Sequence, residues 1–121
     1  MGSLNSTRSE FTESGPANIP EFGSVTNSKQ FPYVLAMDAY QHVKDGTPYP
    51  AVLLTGGYED PLVGVWEPAK MAARLQAATF SGRPVLLRID FNGGHEPVSA
   101  RAKHDEETDE FAFLLWQFGQ K

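Results

Sequence analysis

Residues 49–90 read YPAVLLTGGYEDPLVGVWEPAKMAARLQAATFSGRPVLLRID, and their pattern decides the fold. The run 49–55 is almost entirely apolar and stops at two glycines, which is typical of a strand buried on both faces of a parallel sheet. The run 84–90 repeats that pattern. Between the two runs, an alanine-rich stretch opens at Glu67-Pro68 and stops at Ser81-Gly82, as a helix of about three turns does. The order strand, helix, strand predicts an α/β fold with two parallel strands and a right-handed crossover.

Helical periodicity extends this pattern on both sides. Apolar residues at helical spacing predict a short helix over residues 29–38, with Pro32 in its first turn. A final helix is predicted over residues 99–118, where Phe111, Leu114, Leu115 and Phe118 form one apolar stripe. The first 28 residues are rich in Ser, Asn, Thr, Gly and Pro and predict an irregular segment. We therefore divide the chain into an irregular segment, 1–28, and an α/β unit, 29–121.

Composition excludes several classes of function. The chain has 121 residues, a formal charge of −5 and no cysteine. An acidic chain has no basic surface for a phosphate backbone, so we expect no nucleic-acid binding. Without a long apolar run or a secretory signal we expect a cytoplasmic protein with no membrane span. We expect no cofactor and no metal, because the run from His104 to Glu107 lacks the spacing of helical metal ligands.

Two loops follow the predicted strands, and each carries residues suited to catalysis. Ligands of open α/β sheets gather at the carboxyl ends of the strands. Asp60 follows the first strand and His95 follows the second, so a carboxylate and an imidazole can pair there. Each also has a plainer interpretation, because Asp60 precedes a proline in a turn and His95 can face solvent. Tyr58 either lines a substrate pocket or caps its loop.

A nucleophile for this pair is absent from the sequence. Hydrolases of the α/β class carry their triads in the order Ser, Asp or Glu, His, with the serine on a G-x-S-x-G turn. Asp60 and His95 fit the last two members. None of the eight serines lies in that motif; they are Ser3, Ser6, Ser9, Ser14, Ser24, Ser28, Ser81 and Ser99.

Several motifs in the correct order resemble one family of serine peptidases. Residues 57–63, GYEDPLV, resemble the G-x-x-D-x-x-V motif around the catalytic aspartate of the prolyl oligopeptidase family, and residues 93–95, GGH, resemble its histidine loop. Five flanking runs also resemble it: 20–23 (PEFG), 40–46 (YQHVKDG), 49–55 (YPAVLLT), 70–77 (KMAARLQA) and 111–115 (FAFLL). The resemblance extends from Arg8 to Gly119.

The resemblance implies a C-terminal fragment of an α/β-hydrolase catalytic domain, with Asp60 as the triad acid and His95 as the general base. Two positions depart from the family. Leu62 stands where members commonly have an arginine that holds the substrate backbone, and leucine cannot donate those hydrogen bonds. Glu96 stands where members have glycine, and its carboxylate can compete with Asp60 for the imidazole.

Two functions from different classes follow from these observations. The first is a serine-type peptidase fragment that holds the Asp and His of a triad, is inactive alone, and meets a peptide substrate only in a complete enzyme. The second is a non-catalytic binding or self-associating module from a truncated hydrolase gene, because two strands leave a sheet edge unpaired. The expected partner is accordingly a second copy or a complementing hydrolase fragment. A third, an acyl esterase of the same fold, shares both loops.

Overall fold

A two-stranded parallel sheet lies at the centre of the chain. The computed structural model describes residues 2–119. In chain order its elements are helices α1 (Ser6–Ser9), α2 (Ile19–Phe22) and α3 (Phe31–Met37), strand β1 (Val52–Gly57), helix α4 (Trp66–Ala78), strand β2 (Val85–Asp90) and helix α5 (Ala100–Gln117). Single 3₁₀ turns lie at Gly15–Asn18 and Tyr40–His42. The predicted α/β order is therefore confirmed.

Strand β1 is displaced along the sequence from its predicted range. It begins at Val52 because Pro50 has no N–H to donate, and the ladder opens with Val52 N bonded to the Pro84 carbonyl at 2.9 Å. It continues to Gly57, which pairs with Asp90, instead of stopping at the first glycine. The two glycines therefore belong to the strand, and this extension carries the loop after β1 alongside the loop after β2.

Helix α4 covers one face of the sheet and makes the apolar core. Met71, Leu75 and Ala78 lie on one side of the helix and pack with Val43 and Val85. Val52 and Leu54 contact the same cluster, since alternate residues of a strand share a face. The core is small and lies on the α4 side of the sheet.

Helix α5 lies against the other face but is held loosely. Its start is capped by Ser99, whose Oγ accepts from the Ala102 N–H at 3.1 Å. Arg88 of β2 donates to Asp109 at 2.7 Å, and beside this ion pair a gap of about 420 Å³ separates the helix from Leu53 and Leu86. The predicted apolar stripe exists, and its four members are all exposed: Phe111, Leu114, Leu115 and Phe118. Periodicity correctly predicted the helix, but this face has no covering layer within residues 2–119.

The N-terminal segment is more ordered than its composition predicts. Residues 1–28 were expected to be irregular, yet the described part contains α1, α2 and a 3₁₀ turn. Asn5 is only 1% exposed, and its side-chain amide donates to Asp38 at 2.8 Å while its oxygen accepts from Lys70 at 2.7 Å. Polar contacts thus hold this segment on α3 and α4. No helix within residues 2–119 has the length and apolar character needed to cross a membrane.

The position of the core predicts how two leucines differ. Leu75 is 8% exposed within the core, whereas Leu115 is 51% exposed on α5. Leu75→Ala should lower the free energy of unfolding by about 2–5 kcal/mol, because it removes buried methyl groups and leaves a cavity. Leu115→Ala is the matched control and should change it by less than about 0.5 kcal/mol. Urea denaturation measures both, and equal losses would show that α5 is packed in solution.

Candidate functional site

The two loops after the strands are joined by backbone hydrogen bonds. Beyond the last ladder pair, Tyr58 N donates to the Asp90 carbonyl at 2.8 Å, and Glu59 N donates to the Gly93 carbonyl at 3.0 Å. The side chains of Tyr58 and Phe91 pack together above this junction, with ring centroids 5.8 Å apart. The loops therefore leave the sheet side by side, as the parallel order predicted.

Glycine is required where the loops touch. A Cβ placed on Gly57 would lie 2.0 Å from the Gly94 carbonyl oxygen, and one on Gly93 would lie 2.6 Å from the Asp90 carboxylate. Real Cβ atoms do not approach backbone so closely, so any side chain at Gly57 would push the histidine loop away. Gly57 at the end of β1 thus lets the two loops approach closely enough for Asp60 to reach His95.

Asp60 and His95 form a direct pair at the carboxyl edge of the sheet. His95 Nδ1 lies 3.0 Å from Asp60 Oδ2, and the Asp60 side chain is fully buried while that of His95 is 35% exposed. Because an ionised carboxylate only accepts hydrogen bonds, Nδ1 carries a proton, and in the neutral ring the lone pair is therefore on Nε2. The pair can therefore take up a proton at Nε2 and orient the ring while it does so.

Backbone donors hold Asp60 in its ionised form. Its Oδ1 accepts from Leu62 N at 2.8 Å and from Val63 N at 3.0 Å, which folds the residues after it into a turn. Burial by itself raises the pKa of this carboxyl, but the two amides and the His95 ring outweigh it and lower the pKa below its ordinary value of 3.8. Asp60 thus makes both the turn that its proline context indicated and the histidine contact.

Two cavities border the loops that carry the pair. One of about 320 Å³ lies between the N-terminal segment and the Asp60 loop; Leu62, Val63 and Phe22 contribute its apolar side, and serine hydroxyls contribute the other. The second, of about 290 Å³, lies beside His95 and is lined by Glu106, Glu107 and Glu110 of α5. The first is therefore amphipathic and the second is acidic.

The side chains of the remaining sequence candidates lie around the pair and make no hydrogen bond to it within residues 2–119; Leu62 reaches Asp60 through its backbone N–H only. Leu62 is exposed and lines the first cavity, whereas Glu96 is exposed and lines the second. Of the carboxylates in residues 2–119, only Asp60 is within hydrogen-bonding distance of the His95 ring, so Glu96 does not compete for it here. Tyr58 is exposed, and its ring packs on Phe91, so that it caps its loop. A contact between Tyr58 and a substrate stays a prediction.

Parallel strands that carry an aspartate and a histidine on adjacent carboxyl-terminal loops define the chain as part of an α/β hydrolase. The model of the prolyl oligopeptidase family matches residues 4–121, and the chain belongs to that family. This confirms the resemblance that the loop motifs indicated.

Individual relatives agree with the family match. The chain is 32% identical over 100 residues to Protease 2 of Moraxella lacunata. The aligned region covers 82% of this chain and 14% of that protein. It is 30% identical over 123 residues to the prolyl endopeptidase of Elizabethkingia miricola, covering 100% of this chain and 17% of that protein. The chain thus spans only about a sixth of the length of the relatives it matches.

Solved structures share its fold. One from a study of two prolyl endopeptidases superposes with a TM-score of 0.85 at 30% identity, over 95% of this chain and 17% of that one. Oligopeptidase B from Leishmania major gives a TM-score of 0.79 at 28% identity, over 86% of this chain and 14% of that one. The expected fold class, part of an α/β-hydrolase fold, is confirmed.

A buried polar cluster beside the site was missed at the sequence level. Asp38 and Glu67 are 0% and 3% exposed, and both accept hydrogen bonds from the N-terminal segment. The sequence pattern predicts Glu67 only as the start of a helix and Asp38 only as the end of the helix over residues 29–38. Their partners in the N-terminal segment lie 62 and 31 residues away, and the local contact of Asp38, which accepts from Gln41 N at 3.1 Å, does not indicate that segment.

The lowered pKa of Asp60 makes its contribution to stability depend on pH. A carboxyl whose pKa is lower in the folded chain contributes fully above its ordinary value of 3.8, and the contribution disappears as the pH falls through the lowered value. Asp60→Asn should therefore lower the free energy of unfolding by about 1–3 kcal/mol near pH 6, and its difference from wild type should shrink below pH 3.8.

Denaturation curves across that pH range measure the effect. Asp105→Asn, at an exposed position of α5, is the matched control and should follow the wild type throughout. A difference between Asp60→Asn and wild type that does not vary with pH would contradict the assignment of an ionised, hydrogen-bonded Asp60.

Proposed function

We propose that this chain supplies the Asp and His of a Ser-Asp-His triad in a serine-type peptidase. The observation that carries the proposal is the 3.0 Å contact between His95 Nδ1 and Asp60 Oδ2, on adjacent loops of a prolyl oligopeptidase family member. The nucleophile belongs to polypeptide outside this sequence, since no serine here lies in a G-x-S-x-G motif.

The geometry of the pair suits general base catalysis. Asp60 keeps the proton of the ring on Nδ1, so Nε2 can accept the hydroxyl proton as the serine attacks a peptide carbonyl. The imidazolium that forms is stabilised by the buried carboxylate of Asp60, which stays ionised. Nε2 then returns the proton to the leaving amine, and a water molecule repeats the cycle to release the acyl group.

The proposed substrate is a peptide. The solved relatives include prolyl endopeptidases and oligopeptidase B. The cavity of about 320 Å³ beside the Asp60 loop has room for a substrate side chain, with apolar contacts from Val63 and hydroxyls opposite. Leu62 offers no hydrogen bond where the family commonly has arginine, so we expect the substrate backbone to be held more weakly than in those relatives.

By itself the chain should be inactive. Without a nucleophile no acyl-enzyme can form, so a fluorophosphonate probe should leave the purified protein unlabelled and a proline-containing peptide should not be cleaved. Intact mass spectrometry and a peptide assay give the readouts. Stoichiometric labelling would show that one of the eight serines is activated and would overturn this proposal.

The roles of the two residues are tested in a chimera. Residues 4–121 replace the matched part of the Elizabethkingia miricola prolyl endopeptidase, and peptide cleavage is measured. His95→Ala should lower kcat/KM at least about a thousandfold, because the serine loses its base. His104→Ala, at an exposed position of α5, is the control and should leave kcat/KM unchanged.

A second candidate, a self-associating module, is favoured by the open surfaces of the sheet and α5. Val52 N and Tyr58 N both donate towards β2, so the backbone groups of Leu53 and Thr55 point to the other edge of β1. The exposed stripe of α5 adds apolar surface. An unpaired edge beside an apolar face promotes association with a second copy.

Light scattering after size-exclusion chromatography tests this candidate. A dimer or larger species whose fraction rises with concentration is expected, and Leu115→Glu should shift it towards monomer because it places a charge within the α5 stripe. Glu13→Ala changes an exposed acid of the N-terminal segment and is the control. A monomer at every concentration would rule out self-association.

A further inference from the structure

We infer that Glu67 is a positioning residue for the Asp60–His95 pair, an inference that rests on the proposed function. Glu67 is 3% exposed, and its carboxylate accepts hydrogen bonds from four donors in residues 3–9. Oε2 accepts from Ser3 Oγ at 3.0 Å, Leu4 N at 2.6 Å and Asn5 N at 3.0 Å, and Oε1 accepts from Ser9 Oγ at 2.9 Å. One side chain of α4 thus binds residues 3–9 through four hydrogen bonds.

Glu67 lies where the Asp60 turn becomes helix. Its own N–H donates to the Gly64 carbonyl at 2.9 Å, directly after the Leu62 and Val63 amides that bind Asp60. The segment it holds runs on to Ser14, whose hydroxyl donates to the Leu62 carbonyl at 3.3 Å. The Asp60 turn is therefore contacted from two sides. Its end continues into α4, and its Leu62 carbonyl accepts from the N-terminal segment that α4 binds.

The same contacts build the wall of the amphipathic cavity. Ser3, Ser9 and Glu67 line it on one side, and Leu62 and Val63 line it on the other. If residues 3–9 left Glu67, this wall would open, and the segment that brings Ser14 Oγ to the Leu62 carbonyl would lose one of its two attachments to α4, the other being Lys70. The Asp60 turn would then be free to change its orientation towards His95.

All four donors to Glu67 are neutral, which predicts that an amide can replace the carboxylate. In Glu67→Gln the amide oxygen can keep the three bonds of Oε2, and its NH₂ can donate to Ser9 Oγ, which has the Asn5 carbonyl as another acceptor at 3.0 Å. Lys70 donates to Asn5 rather than pairing with Glu67. The first turn of α4 favours a negative charge only modestly. Glu67→Ala, in contrast, removes the acceptor of the Leu4 and Asn5 amides, whereas the two serine hydroxyls keep neighbouring acceptors.

Nuclear magnetic resonance of the full chain tests the inference at the pair itself. Hydrogen exchange of the Leu62 and Val63 amides should be about tenfold faster in Glu67→Ala and within about twofold of wild type in Glu67→Gln. The downfield Nδ1–H signal of His95 should weaken in the first variant and persist in the second. Glu13→Ala, at an exposed acid, should match wild type in both readouts.

The outcomes separate this inference from the proposed function. Unchanged exchange and an unchanged His95 signal in Glu67→Ala would overturn the positioning role, and so would a Glu67→Gln variant that behaves like Glu67→Ala. If wild type lacks the bonded Nδ1–H signal, the proposed function fails, while the exchange rates still test Glu67. Should Glu67→Ala not fold, Ser3→Ala combined with Ser9→Ala removes two donors, and exchange should rise about threefold; no rise would overturn the inference.

Discussion

The parallel ladder between β1 and β2 fixes the rest of this structure, because it continues past the strands into the loops. Gly57 pairs with Asp90, Tyr58 bonds to the same residue, and Glu59 bonds to Gly93. A shift of one residue would move every side chain of β1 to the opposite face and would separate Asp60 from His95. The register that packs Val52 against the core therefore also places the pair at the edge of the sheet, so one strand pairing determines both the core and the site geometry.

Polar contacts, rather than a large apolar core, hold much of this chain together. The buried cluster on the α4 side contains only five residues: Val43, Met71, Leu75, Ala78 and Val85. The N-terminal half is held instead by two buried carboxylates, Asp38 and Glu67, whose oxygens are satisfied by backbone and side-chain donors. Such an arrangement is highly directional, because a buried acceptor that loses its donors is costly. It explains how a segment rich in serine and asparagine is ordered against α3 and α4.

Local patterns predicted the elements, and long-range partners explain what they missed. Apolar runs bounded by proline and glycine marked both strands, and Ser99 marked the start of α5 where it does cap the helix. Asp60 and His95 followed from the rule that the carboxyl ends of parallel strands meet. The extension of β1 to Gly57 depends on its pairing with Asp90, and the role of Glu67 depends on Asn5. Neither partner is near in sequence, so propensity and periodicity carry no trace of them.

The stripe on α5 shows the limit of periodicity most clearly. Phe111, Leu114, Leu115 and Phe118 recur as a core-facing helix demands, yet they are exposed, while the sheet is approached by Phe113 and Trp116. The spacing of apolar residues shows that one face of a helix is apolar, but it does not show what packs against that face. The Asp60–His95 pair needs no such cover, since its contacts come from the two loops and the Leu62 and Val63 amides. The contacts that hold the pair are thus supplied by the two loops themselves, whereas the apolar stripe of α5 stays exposed within residues 2–119.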